Sequence, residues 1–276
     1  TCVTCLCPNQ SLYKQYSTAK NIKLTSCPSC ERDVDPYIER ELLLVVMDMI
    51  LLRVSAYRHL LFNRTMSLFG RKEEVRSHEY GTGNAMVAGV FICVTLRTCL
   101  KYQGNFIVEE IPDQLQLAFI KVGIISLMEF ASLSVGTLSS TFLAQRYWKV
   151  RIRAYFWREM NLAIIVPQLF HVITLLVHIY EDSSTVRILG SLFVMCFSYL
   201  AVHCCMERMI ALSSAPDNDT DGAYYAKAKY KEKVQWHIVI PGWPYVIGLL
   251  LEILTRVLIY VNQFGMSNLR AENLII

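Results

Sequence analysis

Charged residues are scarce in this 276-residue chain, at 18% of all residues, against ~25% in a typical soluble domain. Hydrophobic residues make up 54%, and the mean hydropathy is +0.34. They fall in long blocks, which excludes a purely cytosolic enzyme, a disordered linker and a collagen-like fibre. The net charge of +4 is small and no basic run is dense enough for a nucleic-acid groove, so we expect no nucleic-acid partner. The chain begins at Thr1 rather than Met, which leaves open that it is a fragment.

Five apolar blocks follow one another along the chain, each close to the ~20 residues that a membrane span requires. They cover residues 84–100, 122–144, 161–180, 186–206 and 238–261. The first block is short and contains Arg97, which is near enough to its end for the side chain to snorkel toward the headgroups. The predicted fold class is an all-α polytopic membrane protein with about five transmembrane helices. The bundle covers 84–264, and a C-terminal tail covers 265–276.

Basic and less basic loops alternate between these blocks. The loops rich in Lys and Arg are 63–83, 145–160 and 207–237, and the other two are 101–114 and 181–187. Because cytoplasmic loops carry the excess of Lys and Arg, five spans predict a cytosolic N-terminus and a lumenal C-terminus. If residues 38–62 also crossed, the N-terminus would be lumenal, so the cysteine chemistry must decide its side. Residues 64–83 then form a cytosolic linker that ends in a Gly-Thr-Gly helix breaker at 81–83. Sequons at Asn9, Asn63 and Asn218 lie on the predicted cytosolic side, so we expect no glycan there.

The strongest local pattern is a pair of CxxC motifs within residues 1–35. Cys2 and Cys5 form the first pair, and Cys27 and Cys30 form the second after 21 intervening residues. This spacing is typical of a zinc ribbon, in which a hairpin brings two knuckles together around one tetrahedral metal ion. The alternation within 11–16 and 22–25 is sufficient for the two strands of that hairpin. Four thiolates leave no open coordination position, so we expect a structural Zn²⁺.

Two alternatives to this zinc ribbon stay open. The same cysteines could form two disulfides, although disulfides belong to oxidising compartments and the predicted cytosolic side is reducing. Cys7 could compete with Cys5 as a ligand, but the knuckle spacing favours Cys5. The remaining five cysteines lie in or beside apolar blocks, where a thiol usually behaves as a small hydrophobic side chain.

Residues 36–63 are predicted to form an amphipathic helix, with 38–62 as one continuous helix after Pro36. On a helical wheel the polar residues form one stripe, made of Glu41, Asp48, Ser55 and His59. The opposite side carries Val46, Ile50, Val54, Tyr57 and Leu61. Its uninterrupted apolar runs are too short to span a bilayer. We therefore expect the helix to lie in the membrane interface or to pack against the bundle.

The N-terminal region resembles the Arv homology domain, which opens the Arv proteins. The resemblance rests on the double CxxC, on Asp35-Pro36-Tyr37-Ile38-Glu39 at the helix entry, and on Ala56-Tyr57-Arg58-His59-Leu60-Leu61-Phe62-Asn63 at its exit. It is close over residues 2–63, within an Arv homology domain of 1–63, and only architectural, as a multi-span tail, over 64–276. One departure is Leu6-Cys7 after the first knuckle, where ribbons often have a glycine for the tight turn.

The resemblance implies a location in the endoplasmic-reticulum membrane and a role in lipid homeostasis. It implies intracellular sterol transport and distribution, with support for sphingolipid balance and glycosylphosphatidylinositol-anchor assembly. The implied partners are sterols, glycosylphosphatidylinositol precursors or sphingolipids, together with membrane proteins of that organelle. The family's metal ligands correspond to Cys2, Cys5, Cys27 and Cys30. Its helix motif corresponds to Asp35, Tyr37, Glu39, Tyr57, Arg58, His59 and Asn63.

Within this motif, Arg58 and His59 are the residues best suited to contact a lipid headgroup. Arginine can bind a lipid phosphate through two parallel hydrogen bonds, and His59 could donate one to a headgroup. The alternative is that both residues only stabilise the C-terminal end of the helix, where cations interact favourably with the helix dipole.

Several ionisable residues fall within the apolar blocks, where each is costly and a candidate for function. They are Lys121, Glu129, His171, His178, Glu252 and Arg256. Glu252 and Arg256 are four residues apart, so they can neutralise each other on one helix face. Glu129 is nearest the middle of its block and is the strongest functional candidate. The alternative for the whole set is structural pairing between helices.

Three classes of function are compatible with these patterns, and a non-catalytic lipid-handling protein is favoured. An intramembrane acyl or glycosyl transferase could use His59 or Glu129. However, the sequence lacks an Asp-His-His-Cys box, paired carboxylates in a loop and a glycine-rich phosphate loop. A membrane scaffold that recruits a cytosolic partner through its zinc ribbon is the third class. A RING ligase is disfavoured because four cysteines make one zinc site, whereas a RING has two.

Overall fold

A computed structural model gives the structure of the chain. It describes residues 1–9, 11–16, 21–64, 78–104, 112–148, 154–180, 184–213 and 243–264. The N-terminal elements are strands β1 (Tyr13–Tyr16) and β2 (Asn21–Leu24), a 3₁₀ turn (Pro36–Glu39), and helices α1 (Leu42–Ile50) and α2 (Val54–Arg58), the last extended by a π-helical turn (His59–Arg64). The bundle contains α3 (His78–Gly104), α4 (Pro112–Trp148), α5 (Ala154–Gln168), α6 (His171–Tyr180), α7 (Ser184–Ser213) and α8 (Trp243–Phe264).

The predicted hairpin is present in the N-terminal module, which we define as residues 1–35. Strands β1 and β2 pair antiparallel, with Tyr13 opposite Leu24 and Tyr16 opposite Asn21. The described buried hydrophobic cluster of this module consists of only Cys2, Cys27 and Val34. A module of this size cannot bury enough apolar surface to fold on its own, so it needs another source of stability.

The predicted single helix over 38–62 is wrong, because the structure has two helices joined by a turn. Helix α1 ends at Ile50, and Leu52 takes a left-handed φ of 57° before α2 begins at Val54. Reversing the chain lets residues from both helices meet one side chain. The Tyr37 hydroxyl donates to Asp48 Oδ2 at 3.0 Å and lies 3.0 Å from Ser55 Oγ. Asp48, Ser55 and His59 of the predicted polar stripe are therefore turned toward the protein, whereas Glu41 is exposed.

Three helical segments among the described residues are long and apolar enough to cross a membrane. They are Phe119–Arg146, Phe156–Val177 and Ile188–Ala211, which overlap the predicted blocks at 122–144, 161–180 and 186–206. The blocks at 84–100 and 238–261 fall largely within α3 and α8, and their crossing stays a prediction. The tail at 265–276 lies outside the described residues.

The predicted breaker at 81–83 does not interrupt the chain, because α3 runs without a break from His78 to Gly104. Each glycine costs a helix only about 1 kcal/mol. The apolar residues that follow supply a long helix able to absorb that cost.

The span Phe156–Val177 is bent between α5 and α6. Pro167 lies in the last turn of α5, where it has no N–H to donate and its ring crowds the preceding turn. The chain continues through tighter bonds, from Leu169 N to Val166 O at 3.2 Å and from Phe170 N to Pro167 O at 3.1 Å. The bend lies next to Gln168, whose side chain hydrogen-bonds to Arg97 and Ser198 in the interior of the bundle.

Helices α4 and α8 approach each other closely at two glycines. A Cβ on Gly136 would lie 2.7 Å from the Cα of Gly248, and a Cβ on Gly248 would lie 2.2 Å from Thr137 Oγ1. Small residues of this kind let helix backbones come together where lipid removes the hydrophobic drive for association. The contact positions the polar residues of both helices opposite each other.

Candidate functional site

The four predicted metal ligands lie together at one end of the N-terminal module. The Sγ atoms of Cys2, Cys5, Cys27 and Cys30 are all within 4.8 Å of one another. Cys2 and Cys30 are 3.7 Å apart, and Cys5 and Cys27 are 3.5 Å apart. Sulfur atoms around a tetrahedral zinc ion with ~2.3 Å bonds would be about 3.8 Å apart. The cluster can therefore hold a metal ion, and its dimensions fit zinc.

Both knuckles have the same backbone geometry. Leu6 N donates to Cys2 O at 3.0 Å, and Glu31 N donates to Cys27 O at 2.9 Å. Leu6 and Glu31 each have a φ of 60°, in the left-handed region that favours glycine. The sequence departure at Leu6 therefore does not alter the turn: the leucine takes the conformation a glycine would take, with its side chain buried.

The thiols of the module differ in acidity. A hydrogen bond from Cys5 lowers the pKa of Cys2 to about 4, and the same bond raises the pKa of Cys5. Burial, followed by the charge on Cys27, raises the pKa of Cys7 to about 11. A metal cation can replace the protons that the clustered thiols share. Cys7 lies outside the cluster, and its Sγ contacts the carbonyl oxygen of Pro8 at 3.7 Å.

Asp35 is the centre of the helix motif. It is fully buried, and its carboxylate accepts hydrogen bonds from Tyr37 N at 3.0 Å and Asn63 Nδ2 at 2.6 Å. His59 Nδ1 lies 2.6 Å from the same carboxylate, and no partner for its buried Nε2 is found in the described part of the chain. Asn63 Nδ2 also donates to Thr1 O. Three residues of the motif thus fasten the entry and the exit of the helical hairpin to each other.

Arg58 joins the N-terminal module to the bundle. Its Nη1 donates to Val3 O at 2.8 Å and Thr4 O at 2.9 Å, and its Nη2 donates to Glu207 Oε2 on α7 at 2.7 Å. These acceptors are distant in sequence, so helix capping does not describe the contacts of Arg58. Tyr57 is also buried, with its hydroxyl donating to Met49 O, whereas Glu39 is exposed.

Three of the predicted intramembrane polar residues, Glu129, Glu252 and Arg256, meet in one connected network. Glu129 on α4 accepts from Lys101 on α3 and lies 3.4 Å from Arg256 Nε on α8. Glu252 Oε1 accepts from Arg256 at 2.8 Å, which confirms their predicted pairing, and also from Arg97 at 2.8 Å. The network therefore joins three helices through alternating charges.

The predicted snorkelling of Arg97 is wrong. Its side chain is buried, and Nε and Nη2 donate to Gln168 Oε1 at 3.2 and 2.9 Å. Gln168 Nε2 in turn donates to Ser198 Oγ on α7 at 3.1 Å. Arg97 stays inside the bundle because Gln168 and Glu252 provide buried acceptors for its guanidinium group.

Lys121 and the two histidines do not extend this network in the described structure. Lys121 is exposed, and His171 is buried. No hydrogen-bond partner for His171 Nδ1 lies in the ranges described. The side chain of His178 lies outside the described residues. Lys101 and Gln168 were missed by sequence reasoning, although the four-residue spacing from Arg97 to Lys101 and the position next to Pro167 were available signals.

Comparisons with known proteins place these features in context. A model of the Arv1-like family matches residues 1–203. The chain is similar to Protein ARV1 of Saccharomyces cerevisiae, with 48% identity over 62 residues, or 22% of this chain and 19% of the relative. It is also similar to Protein ARV 2 of Arabidopsis thaliana, with 48% identity over 63 residues, or 23% of this chain and 27% of that protein.

Protein ARV1 of Homo sapiens is 36% identical over 70 residues, which cover 25% of this chain and 26% of the human protein. The chain thus spans about a fifth to a quarter of the length of the curated relatives it matches. No solved structure matches it.

Proposed function

Because the chain belongs to the Arv1-like family, we propose that it is a non-catalytic protein of lipid homeostasis in the endoplasmic-reticulum membrane. In this role it moves or distributes sterols, and it supports sphingolipid balance and glycosylphosphatidylinositol-anchor assembly. The observation that carries the proposal is the family match over residues 1–203. Its ligands are membrane lipids, with other membrane proteins of the same organelle as partners.

Zinc is the metal proposed for the four-cysteine cluster. The sulfur spacing and the paired knuckles support it, because both suit a closed tetrahedral site with four thiolates. Cys2, Cys5, Cys27 and Cys30 would hold the ion, which supplies folding energy and no open coordination position. Arg58 would connect the folded module to the bundle, because it binds Val3 O and Thr4 O of the module and Glu207 on α7.

A cytosolic N-terminus is supported by the place where the module is joined to the bundle. Arg58 binds Val3 and Thr4 of the module and pairs with Glu207 near the end of α7. Arg208 at the same end of α7 pairs with Glu159 near the start of α5. The loops that adjoin these two ends, 145–160 and 207–237, are both rich in Lys and Arg. The positive-inside rule assigns such loops to the cytosol, and the module would lie on the same side.

The burial of the candidate catalytic residues favours a non-catalytic role. His59 is held by Asp35 and only 3% exposed, and Glu129 is 2% exposed between Lys101 and Arg256. A general base must come within hydrogen-bond reach of the proton that it removes from a substrate. The contacts of these two residues instead suit internal stabilisation.

Sterol exchange between vesicles tests the proposal directly. The full chain is purified and placed in donor vesicles that contain a fluorescent sterol, and acceptor vesicles without sterol are added. We expect faster transfer than from protein-free vesicles, with the lipid composition unchanged by mass spectrometry. Folded, zinc-loaded chain that leaves the transfer rate at the protein-free value would contradict direct sterol transport.

The two competing classes give different results in the same assay. A transferase would convert an added lipid to a new product, and His59→Ala or Glu129→Gln would abolish that conversion. A scaffold would transfer no sterol when purified, yet would restore sterol distribution in cells that lack the endogenous protein. Its rescue would then depend on exposed residues of the N-terminal module and not on Glu129.

A further inference from the structure

Helix α1 turns an apolar face away from the protein. Leu43 and Met47 on α1 and Leu51 directly after it follow one another at four-residue intervals, and their side chains are 68%, 49% and 61% exposed. Leu44 lies beside them and is 53% exposed. The opposite face packs Val45 and Met49 into the main hydrophobic core. In water, such a contiguous apolar face would be an aggregation hazard or an interaction site.

The neighbouring helix packs beside a membrane-spanning helix rather than above its end. The ring of Tyr57 on α2 lies 6.3 Å from the ring of Phe197 on α7. At ~1.5 Å per residue, Phe197 lies about 14 Å from Ile188 and about 21 Å from Ala211, the two ends of that candidate span. Since the Tyr57 hydroxyl also bonds Met49 O, α1 is held alongside this part of the bundle. Its apolar face therefore continues the lipid-facing surface of the spans.

Leu52 at the turn between α1 and α2 adds an independent observation. It takes a φ of 57°, where glycine is favoured and leucine costs ~1 kcal/mol or more. Its side chain is 41% exposed, so little burial within the protein offsets that cost. A strained apolar residue that is left exposed suggests that its contacts lie outside the chain.

Two arginines border the apolar face. Arg40 Nη1 lies 2.9 Å from Asp48 Oδ2, and Arg53 Nη1 lies 3.1 Å from Asp48 Oδ1. The side chains of Arg40 and Arg53 are 43% and 57% exposed, so both also face the surroundings. The two guanidinium groups share the Asp48 carboxylate, and the exposed Glu39 and Glu41 flank Arg40, so the edge of the apolar face is strongly polar. That combination matches a phospholipid surface, with phosphates above the acyl chains.

We propose that the apolar face of α1, together with Leu52, inserts among the acyl chains of the leaflet next to the N-terminal module. Arg40 and Arg53 meet phospholipid phosphates at its edge. This inference goes beyond the proposed function, because it requires that α7 crosses the bilayer but not that sterol is the transported lipid. It gives the lipid contact to residues that differ from the helix motif, which serves internal bonds.

Depth-dependent quenching tests this insertion. The full chain carries one genetically encoded fluorescent amino acid and is reconstituted in phosphatidylcholine vesicles with bromine at carbons 6 and 7 or at carbons 11 and 12. The label replaces Leu44 or Leu52 at the face, Leu192 as a lipid-facing reference on α7, or Glu31 as an exposed reference on the N-terminal module. We expect Leu44 and Leu52 labels to lose at least half as much fluorescence as the Leu192 label.

The Glu31 label should lose almost none in either lipid. Labels at Leu44 and Leu52 that behave like the Glu31 label would overturn the proposal, since the face would then meet water or another protein. If the Leu44 and Leu52 labels were quenched but no sterol were transferred, only the proposed sterol transport would be contradicted. Sterol transfer without quenching would leave that function standing and remove the insertion.

Leu52→Gly provides a variant in which folding and insertion change in opposite directions. Glycine suits the left-handed turn, so the melting temperature should stay the same or rise. The quenching of the Leu44 label should nevertheless fall by a third or more, because part of the inserted surface is missing. Arg40→Gln combined with Arg53→Gln should reduce quenching in vesicles with anionic lipid more than in neutral ones. Unchanged quenching in both variants would contradict the assigned contacts.

Discussion

The N-terminal module and the helical bundle differ in the interactions that can stabilise them. The module has too little apolar surface, with three residues in its described buried hydrophobic cluster, and its proposed source of stability is a cation held by four clustered cysteines. The bundle has abundant apolar surface, but lipid removes the hydrophobic drive between its helices. It depends instead on close backbone contact at Gly136 and Gly248 and on buried charge pairs. Where one ordinary source of stability is missing, a few specific contacts replace it.

The sharpest way to break the module alone is to remove one metal ligand. Cys27→Ser should abolish stoichiometric zinc and unfold residues 1–35, since structural zinc contributes about 10–16 kcal/mol to such peptides. Elemental analysis of the purified chain should fall from one zinc per chain to below about a tenth of that value. Cys7→Ser is the matched control and should keep its zinc, because Cys7 lies outside the cluster. Equal zinc loss in both variants would contradict the ligand assignment.

Removing a shared carboxylate is the corresponding test of the bundle. Glu252→Leu leaves the Arg97 and Arg256 guanidinium groups without this acceptor, and breaking a buried pair in this way costs about 3–5 kcal/mol. The free energy of unfolding in mixed detergent micelles should fall by that amount while zinc binding is retained. Lys121→Gln, at an exposed position, should leave both quantities unchanged. Loss of zinc in Glu252→Leu would show that the two regions do not depend on separate contacts.

Close helix packing gives a smaller effect of a different kind. Gly248→Val adds atoms where a Cβ would already lie 2.2 Å from Thr137 Oγ1, and such overpacking costs about 1–3 kcal/mol. The melting temperature in detergent should fall accordingly. In Gly123→Ala the new Cβ would lie 3.9 Å from Thr98 and alanine favours the helix, so its melting temperature should equal or exceed that of the parent chain. Equal tolerance of both substitutions would mean that α4 and α8 do not touch at Gly248.

The two knuckle turns provide the smallest and most discriminating comparison. Glu31→Gly should stabilise the zinc-loaded module by about 0.5–1 kcal/mol, because Glu31 is exposed and has a left-handed φ. Leu6→Gly relieves the same backbone strain but removes a buried side chain, so it should destabilise the module by about 2 kcal/mol. Chemical denaturation followed by circular dichroism of the whole chain measures both. If both variants stabilised the module, the proposed contribution of the buried Leu6 side chain to its stability would be contradicted.

Short-range patterns were readable from the sequence, and contacts across the chain were not. The cysteine cluster was predictable because each knuckle is set by a four-residue spacing, and the Glu252–Arg256 pair because the two residues lie one helical turn apart. The buried position of Arg97 depends on Gln168 and Glu252, which come from distant parts of the sequence. The turn at Leu52 has no Gly or Pro to mark it, whereas the glycines at 81–83 suggested a break that the helix overrides.

The several acceptors of Arg58 have a mechanical consequence. One guanidinium group holds the carbonyl oxygens of Val3 and Thr4, inside the first CxxC, and a carboxylate on α7 at the same time. If the four cysteines bind a metal ion as proposed, its release would free the first CxxC to shift the carbonyl oxygens of Val3 and Thr4, while Arg58 stayed bonded to α7. Arg58 is therefore the contact through which metal occupancy would influence the position of that helix.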